Sequence, residues 1–327
     1  MVSTLTPYDP QARELANYLH CALAQRWLCQ IADGDAADDT VKTYRYELKQ
    51  YFQWCQYNRI DPLEATKEHI LLYRRYLVKK GYKVKTIALK LTVVRRLYAA
   101  AVEKGLIANN PAIYVKPPTK RVAPAERNNY LELEEAQKLI DCLPVENTLV
   151  GLRDRLLVCL MVVAGCRQIG LYRLNVGDII RRRGQVGLRV EAKGSVRVIP
   201  LTADVAVVLE KYLKARRAEG EKLTKDTPMF VSVSRNSDGQ RLTRRSMQRI
   251  VNAYLEKAAL KHCESRTVTT HGLRHTVGYL LTMAGKPLRV IQDFLGHCDP
   301  RTTAIYAHIV NLWSNNPATS LGLVLLS

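Results

Sequence analysis

From Thr40 to about residue 104 the apolar positions recur every three or four residues. Val41, Tyr44, Leu48, Tyr51, Phe52 and Cys55 share one face of a helix that Thr40 opens. The same spacing predicts two further helices, around 67–80 and 84–104, the second with Ile87, Leu91, Val94, Leu97 and Tyr98 in a stripe. Gly105 and Asn109-Asn110-Pro111 stop it. The period then vanishes over residues 116–128, KPPTKRVAPAERN, whose prolines and charges predict a semi-rigid linker.

Patterning resumes near Tyr130. Leu131-Glu132-Leu133-Glu134-Glu135 leads into a helix, and a more apolar helix runs from Arg153 to Gly165. Residues 186–201, VGLRVEAKGSVRVIPL, alternate and are β-branched, which predicts a hairpin turning at Lys193-Gly194. Helices are expected again around 203–219, 243–260 and 271–284, the last with Thr270 as N-cap. Pro287 and Pro300 each suit the first residue of a further helix. The fold class is therefore mainly α with a small antiparallel β-sheet. The expected organisation is an N-terminal extension (1–39), a helical domain (40–115), a linker (116–128), an α+β domain (129–310) and a tail (311–327).

Composition narrows the partner. A chain of 327 residues, 47% of them hydrophobic, has room for two domains with real cores. Its formal net charge of +20 calls for a polyanion: nucleic acid first, an anionic membrane surface second, a merely solvated basic surface third. Residues 40–121 hold 18 Lys/Arg against 5 Asp/Glu, so a quarter of the chain carries most of the imbalance. Arg74, Arg75, Lys79, Lys80, Lys83, Lys85, Lys90, Arg95 and Arg96 supply much of it, as a clamp on phosphates would require. No apolar run approaches the ~20 residues that span a bilayer. The N-terminus lacks a signal-peptide layout, and the eight cysteines are scattered without a C-x-x-C pair. A reduced, cytoplasmic protein without metal is expected.

The chemistry gathers near the C-terminus. His271-Gly-Leu-Arg274 places an imidazole and a guanidinium at i and i+3 on one helical face, and Leu295-Gly296-His297 and Tyr306 follow. Arg167 leaves an apolar helix and Lys193 sits at the hairpin turn. Such a set can attack a phosphodiester without a metal. Each member also has a plain structural reading. Arg167 could pair with Asp178, Lys193 could be an exposed hairpin lysine beside Arg197, His297 could close a helix, and His275 reads as packing.

The motifs AGCRQIGLYRLNVGDI, EAKGSVRVIPL, HGLRHT and LGHCDPRTTAIYAH, behind a basic helical domain, resemble the tyrosine recombinases of the phage-integrase superfamily over roughly residues 40–310. The resemblance implies a SAM-like core-binding domain and a DNA breaking-rejoining catalytic domain. It implies that Arg167 and Arg274 grip the scissile phosphate, that Tyr306 attacks it, and that His271 accepts the phenol proton. Lys193 would protonate the departing 5′ oxygen and His297 would hydrogen-bond the phosphate. The implied function is site-specific recombination through a 3′-phosphotyrosyl intermediate, without cofactor. The implied partners are double-stranded DNA with paired sites, three further copies of the chain and an accessory protein. The architecture fits Xer-type, plasmid or transposon members best. Arg241, Arg244 and Arg245 are expected to add DNA-backbone contacts. A type IB topoisomerase and a DNA-binding relative without catalysis stay open as alternatives. One departure bears on the second: the family usually carries Glu or Asp three residues after the first arginine, where this chain has Gly170. The apolar tail Leu321–Leu326 could pack on a neighbouring protomer or on its own domain.

Overall fold

Leu48, Tyr51 and Cys55 point from one long helix into a core because the helical period keeps them on one side. That helix is α1 (Asp38–Tyr57), and it packs with α2 (Lys67–Lys79) and α3 (Val84–Glu103). In the computed structural model the described residues are Ile31, 38–119, 129–192, 195–234, 238–263, 266–296 and Thr303. The expected extension apart from Ile31, Asp38 and Asp39, most of the linker, the tail and the turns at Lys193-Gly194 and Pro300 lie outside them. The chain divides into two units, Met1–Arg121 and Val122–Ser327.

In the first unit Ile70, Tyr73 and Leu77 meet Ile87, Leu91, Val94 and Leu97. Each such side chain contributes about 1.5–3 kcal/mol on full burial. Tyrosine is an unusual core residue, and its hydroxyls need partners here. Tyr51 Oη lies 2.6 Å from Tyr98 Oη, which donates to the carbonyl of Pro62 at 2.9 Å. The three predicted helices are present, α1 beginning at Asp38.

The second unit is built round α5 (Leu149–Val162), which is buried on nearly every side. The helices α4 (Leu133–Asp141), α7 (Ala203–Ala218), α8 (Arg244–Lys257) and α9 (Thr270–Met283) surround it. A short α6 (Gln168–Arg173) and a terminal α10 (Leu288–Leu295) complete the described helices. Pro287 stands just before α10, at its N-cap. The N-cap of α9 is Thr269 rather than Thr270: its hydroxyl accepts from Gly272 N at 3.2 Å. The first residues of this unit clasp α9, since Leu131 N donates to Thr276 Oγ1 at 2.9 Å and Tyr130 stacks on Tyr279.

The sheet is antiparallel in the order β1 (Ile179–Arg182), β2 (Gln185–Ala192), β3 (Ser195–Pro200). A two-residue β4–β5 pair (His262–Cys263, Arg266–Thr267) lies apart from it. Neither α6 nor β1 was legible in the pattern. The β1–β2 turn uses Arg183 and Gly184, both at positive φ, and arginine is not the residue such a turn usually announces. The hairpin strands β2 and β3 are as predicted, and their register pairs Leu188 with Ile199 and Val190 with Arg197. Directly paired residues share a face. Arg197 thus lies on the core side with Ile199, while Val196 and Val198 are 63% and 57% exposed.

Candidate active site

Arg274, on the second turn of α9, is 1% exposed. Burying a guanidinium costs several kcal/mol unless its donors are satisfied. Nη1 donates to the carbonyl of Gly165 at 2.6 Å, and Nη2 donates to the carbonyl of Leu295. Arg167 stands just before α6, half-buried, and its Nη2 donates to the carbonyl of Gly296 at 3.1 Å. Asp178, the alternative partner for Arg167, accepts from Arg189 Nε at 3.3 Å and from the Asn175 amide at 2.9 Å. The two arginines, 107 positions apart in sequence (274 − 167), therefore converge on the C-terminal end of α10. They can do so because α10 comes close: at Gly165, with φ +62, an added Cβ would stand 2.7 Å from Leu295 Cδ2.

His271 is exposed in the first turn of α9, on the face that carries Arg274. Its ring lies 4.6 Å from that of His275, edge-on at 83°. Lys193, His297 and Tyr306 lie outside the described residues. Their neighbours are described: β2 ends at Ala192, β3 starts at Ser195, and Gly296 directly precedes His297.

Sequence reasoning passed over Arg197. On the core face of β3, it donates from Nη1 to the carbonyl of Phe294. Burial pushes its pKa below the ordinary arginine value; the neighbouring Cys166 opposes that shift and the Arg167 charge adds to it. Burial likewise pushes the Cys166 thiol up to about 11, against the pull of Arg197 and Arg274. The signal for Arg197 was an arginine at a core position of an alternating strand. It was hidden because the flanking valines look like the inward set. At Gly170, where the family usually has a carboxylate, a Cβ would fall 2.5 Å from Val190 Cγ1. Among the described residues no group of His, Cys, Asp or Glu could hold a metal ion.

The expected phosphate-facing cations divide. Arg75, Lys79, Lys80, Lys83 and Lys85 are exposed around the end of α2 and the start of α3, and Arg244 and Arg245 are exposed at the start of α8. Arg96 is half-buried. Lys90 is a correction. It is 3% exposed, ion-paired with Glu47 Oε2 at 2.5 Å and lying over the Tyr82 ring. Arg74 donates to the carbonyl of Lys116, and Arg95 donates to those of Ala112 and Val115, fastening the segment after α3. Arg241 is half-buried. It donates to the carbonyls of Tyr172 and Leu174 at 2.8 and 3.1 Å and to Asn175 Oδ1 at 2.6 Å, so its fork knits the loop after α6.

Residues 129–311 match the Phage integrase family, and residues 25–105 match its N-terminal SAM-like domain. Tyrosine recombinase XerC of Natranaerobius thermophilus is 31% identical over 300 residues, 90% of this chain and 94% of its own. XerC of Pelobacter propionicus is 31% identical over 274 residues, covering 83% of this chain and 84% of its own. A crystal structure of XerH recombinase bound to a palindromic difH substrate, a post-cleavage complex, superposes with a TM-score of 0.71. It is 19% identical and spans 98% of this chain and 91% of that one, a likeness of fold. The chain belongs to the phage integrase family and is a tyrosine-type site-specific DNA recombinase.

Proposed function

We propose that this recombinase cleaves each strand of its DNA with Tyr306, using Arg167 and Arg274 as the clasp on the scissile phosphate. The observation that carries the proposal is the convergence of both guanidiniums on the carbonyls of Leu295 and Gly296. His297 is the next residue, and Tyr306 follows nine positions later. The phenol oxygen bonds to phosphorus as the bond from phosphorus to the 5′ oxygen breaks. Arginine forks suit the nonbridging oxygens in geometry, and their charge stabilises the pentacoordinate transition state. A phenol with an ordinary pKa near ~10 needs a proton acceptor, and His271 stands exposed on the same helical face. Lys193 protonates the departing 5′ oxygen and His297 donates to the phosphate. One phosphoester replaces another, so rejoining needs no cofactor.

Four copies on two paired DNA sites exchange strands in pairs, in the cytoplasm, with an accessory protein in some contexts. The exposed cations at the α2–α3 connection of the first unit contact the DNA backbone, and so do Arg244 and Arg245 of the second. The test uses a nicked suicide duplex bearing the recombination site. The wild-type chain becomes covalently attached to the 3′ end, and Tyr306→Phe attaches none while binding the DNA as tightly. Attachment that survives Tyr306→Phe sinks the assignment. A following two-site assay separates recombination from relaxation of supercoils alone.

A further inference from the structure

Three successive carbonyls close α10, and three different elements each send an arginine to one of them. Arg197 of β3 donates to Phe294, Arg274 of α9 to Leu295, and Arg167, just before α6, to Gly296. The last carbonyls of a helix have no partner within the helix and carry the negative end of its dipole. Cations are therefore drawn to them. Two of these arginines already have a role toward phosphate in the reading above, on which the present inference rests. The third has none.

We propose that Arg197 is a positioning residue that locks the end of α10, and the chain entering His297, to the strand leaving the Lys193 turn. Arg197 does more than donate a hydrogen bond. Gly296 takes a left-handed conformation with φ +60, and a Cβ there would stand 2.8 Å from Arg197 Cδ and 3.3 Å from Nε. The C-cap of α10 is shaped around the arginine stem. On its other side Arg197 pairs across the sheet with Val190, whose methyl occupies the space beside Gly170. Arg197 is thus wedged between the α6–β2 contact and the helix end. Lys193 lies four residues before it on the same hairpin, and His297 directly follows the residue it packs on. A single side chain fixes the distance between the two segments that carry the proton donor and a phosphate ligand. Its Nη1 holds Phe294 and its stem packs on Gly296, so the role assigned to it runs through these neighbours, and the affinity measurement below separates that role from a direct contact with DNA.

The test uses the full chain. Arg197→Met keeps the aliphatic stem and removes the donor, and Arg197→Lys keeps one donor. Three quantities are measured: single-turnover covalent attachment to a suicide duplex at saturating DNA, the Kd for that duplex, and amide hydrogen exchange over residues 288–296. Misplacement of reacting groups by about an ångström costs rates of order a hundredfold, so Arg197→Met is expected to slow attachment by about ten- to a hundredfold. Its Kd is expected to stay within about twofold, because backbone contacts elsewhere dominate binding. Exchange at the end of α10 is expected to rise about tenfold, as loss of one tethering hydrogen bond implies. Arg197→Lys should recover most of the rate.

Attachment by Arg197→Met at the wild-type rate overturns the proposal. So does a Kd that weakens in step with the rate, which would mean that Arg197 meets DNA directly, and so does unchanged exchange over 288–296. Should the methionine variant fail to fold, Gly296→Ala poses the question from the other side, and a wild-type rate there overturns the proposal too. If the wild-type chain itself attaches to no DNA, the function proposed above falls. The exchange comparison still decides whether Arg197 ties α10 down.

Discussion

Gly170, where the family resemblance leads one to expect a carboxylate, is crowded in this fold. Val190 Cγ1 stands 2.5 Å from where a side chain at 170 would begin, and Val190 is itself 2% exposed. A valine cannot rotate away as a long flexible side chain can. The space beside the arginines is filled with a methyl group, and α6 lies against β2 instead of presenting an acid. Gly170→Ala is therefore expected to lower stability by about 1–3 kcal/mol, the usual cost of an added carbon in a filled core. Val190→Ala in the same chain should recover part of that loss. Urea denaturation of both variants checks this. An alanine at 170 as stable as wild type would mean that the sheet yields freely.

At the scale of elements, two helices carry a run of exposed cations in an arrangement that their own dipoles oppose in part. Lys79, in the last turn of α2, is placed favourably. Lys83 caps the start of α3 and Lys85 is in its first turn, where no acidic residue sits. Cations at a helix start are unfavourable by a few tenths of a kcal/mol each, and an external anion offsets them. Changing Lys79, Lys80, Lys83 and Lys85 together to Gln should reduce the slope of log affinity against log salt by about 3 to 4. Titrations of duplex binding at several salt concentrations measure it. An unchanged slope would leave these lysines as a solvated face. Lys90 belongs to a different economy of charge, since its burial with Glu47 makes it part of the packing between α1 and α3.

Across the whole molecule, buried thiols in both units set an alkaline limit. Burial raises Cys55 in the first unit, and Cys159 and Cys166 in the second, from 9.0 to about 11 each. The folded chain holds these protons more tightly than the unfolded chain does. Their contribution is fully present below about pH 9 and is lost as pH rises through 11. The loss is on the order of 2 kcal/mol per thiol. Urea midpoints measured from pH 8 to 11 should fall steadily, and a thiol reagent at pH 8 should label these residues only as fast as the protein opens. Rapid labelling of Cys55, Cys159 or Cys166 in the native chain at pH 8, read residue by residue by peptide mapping, would contradict their burial.

The helices from α1 to α3, the strands β2 and β3, and the HGLRH and LGH motifs were legible because periodicity and local chemistry are written in contiguous residues. The buried state of Lys90 and the inward turn of Arg197 were not, although both residues were in plain view. A lysine in a basic run and an arginine between valines look solvated until a register and a partner are chosen. The sequence by itself determined the helical pattern, the basic first unit and the identity of the side chains that can do phosphate chemistry. Only the tertiary structure decided that arginines from β3, from the residue before α6 and from α9 meet on three successive carbonyls of one helix end. Hydrogen bonds between residues some twenty to 130 positions apart follow from packing, which no local rule encodes.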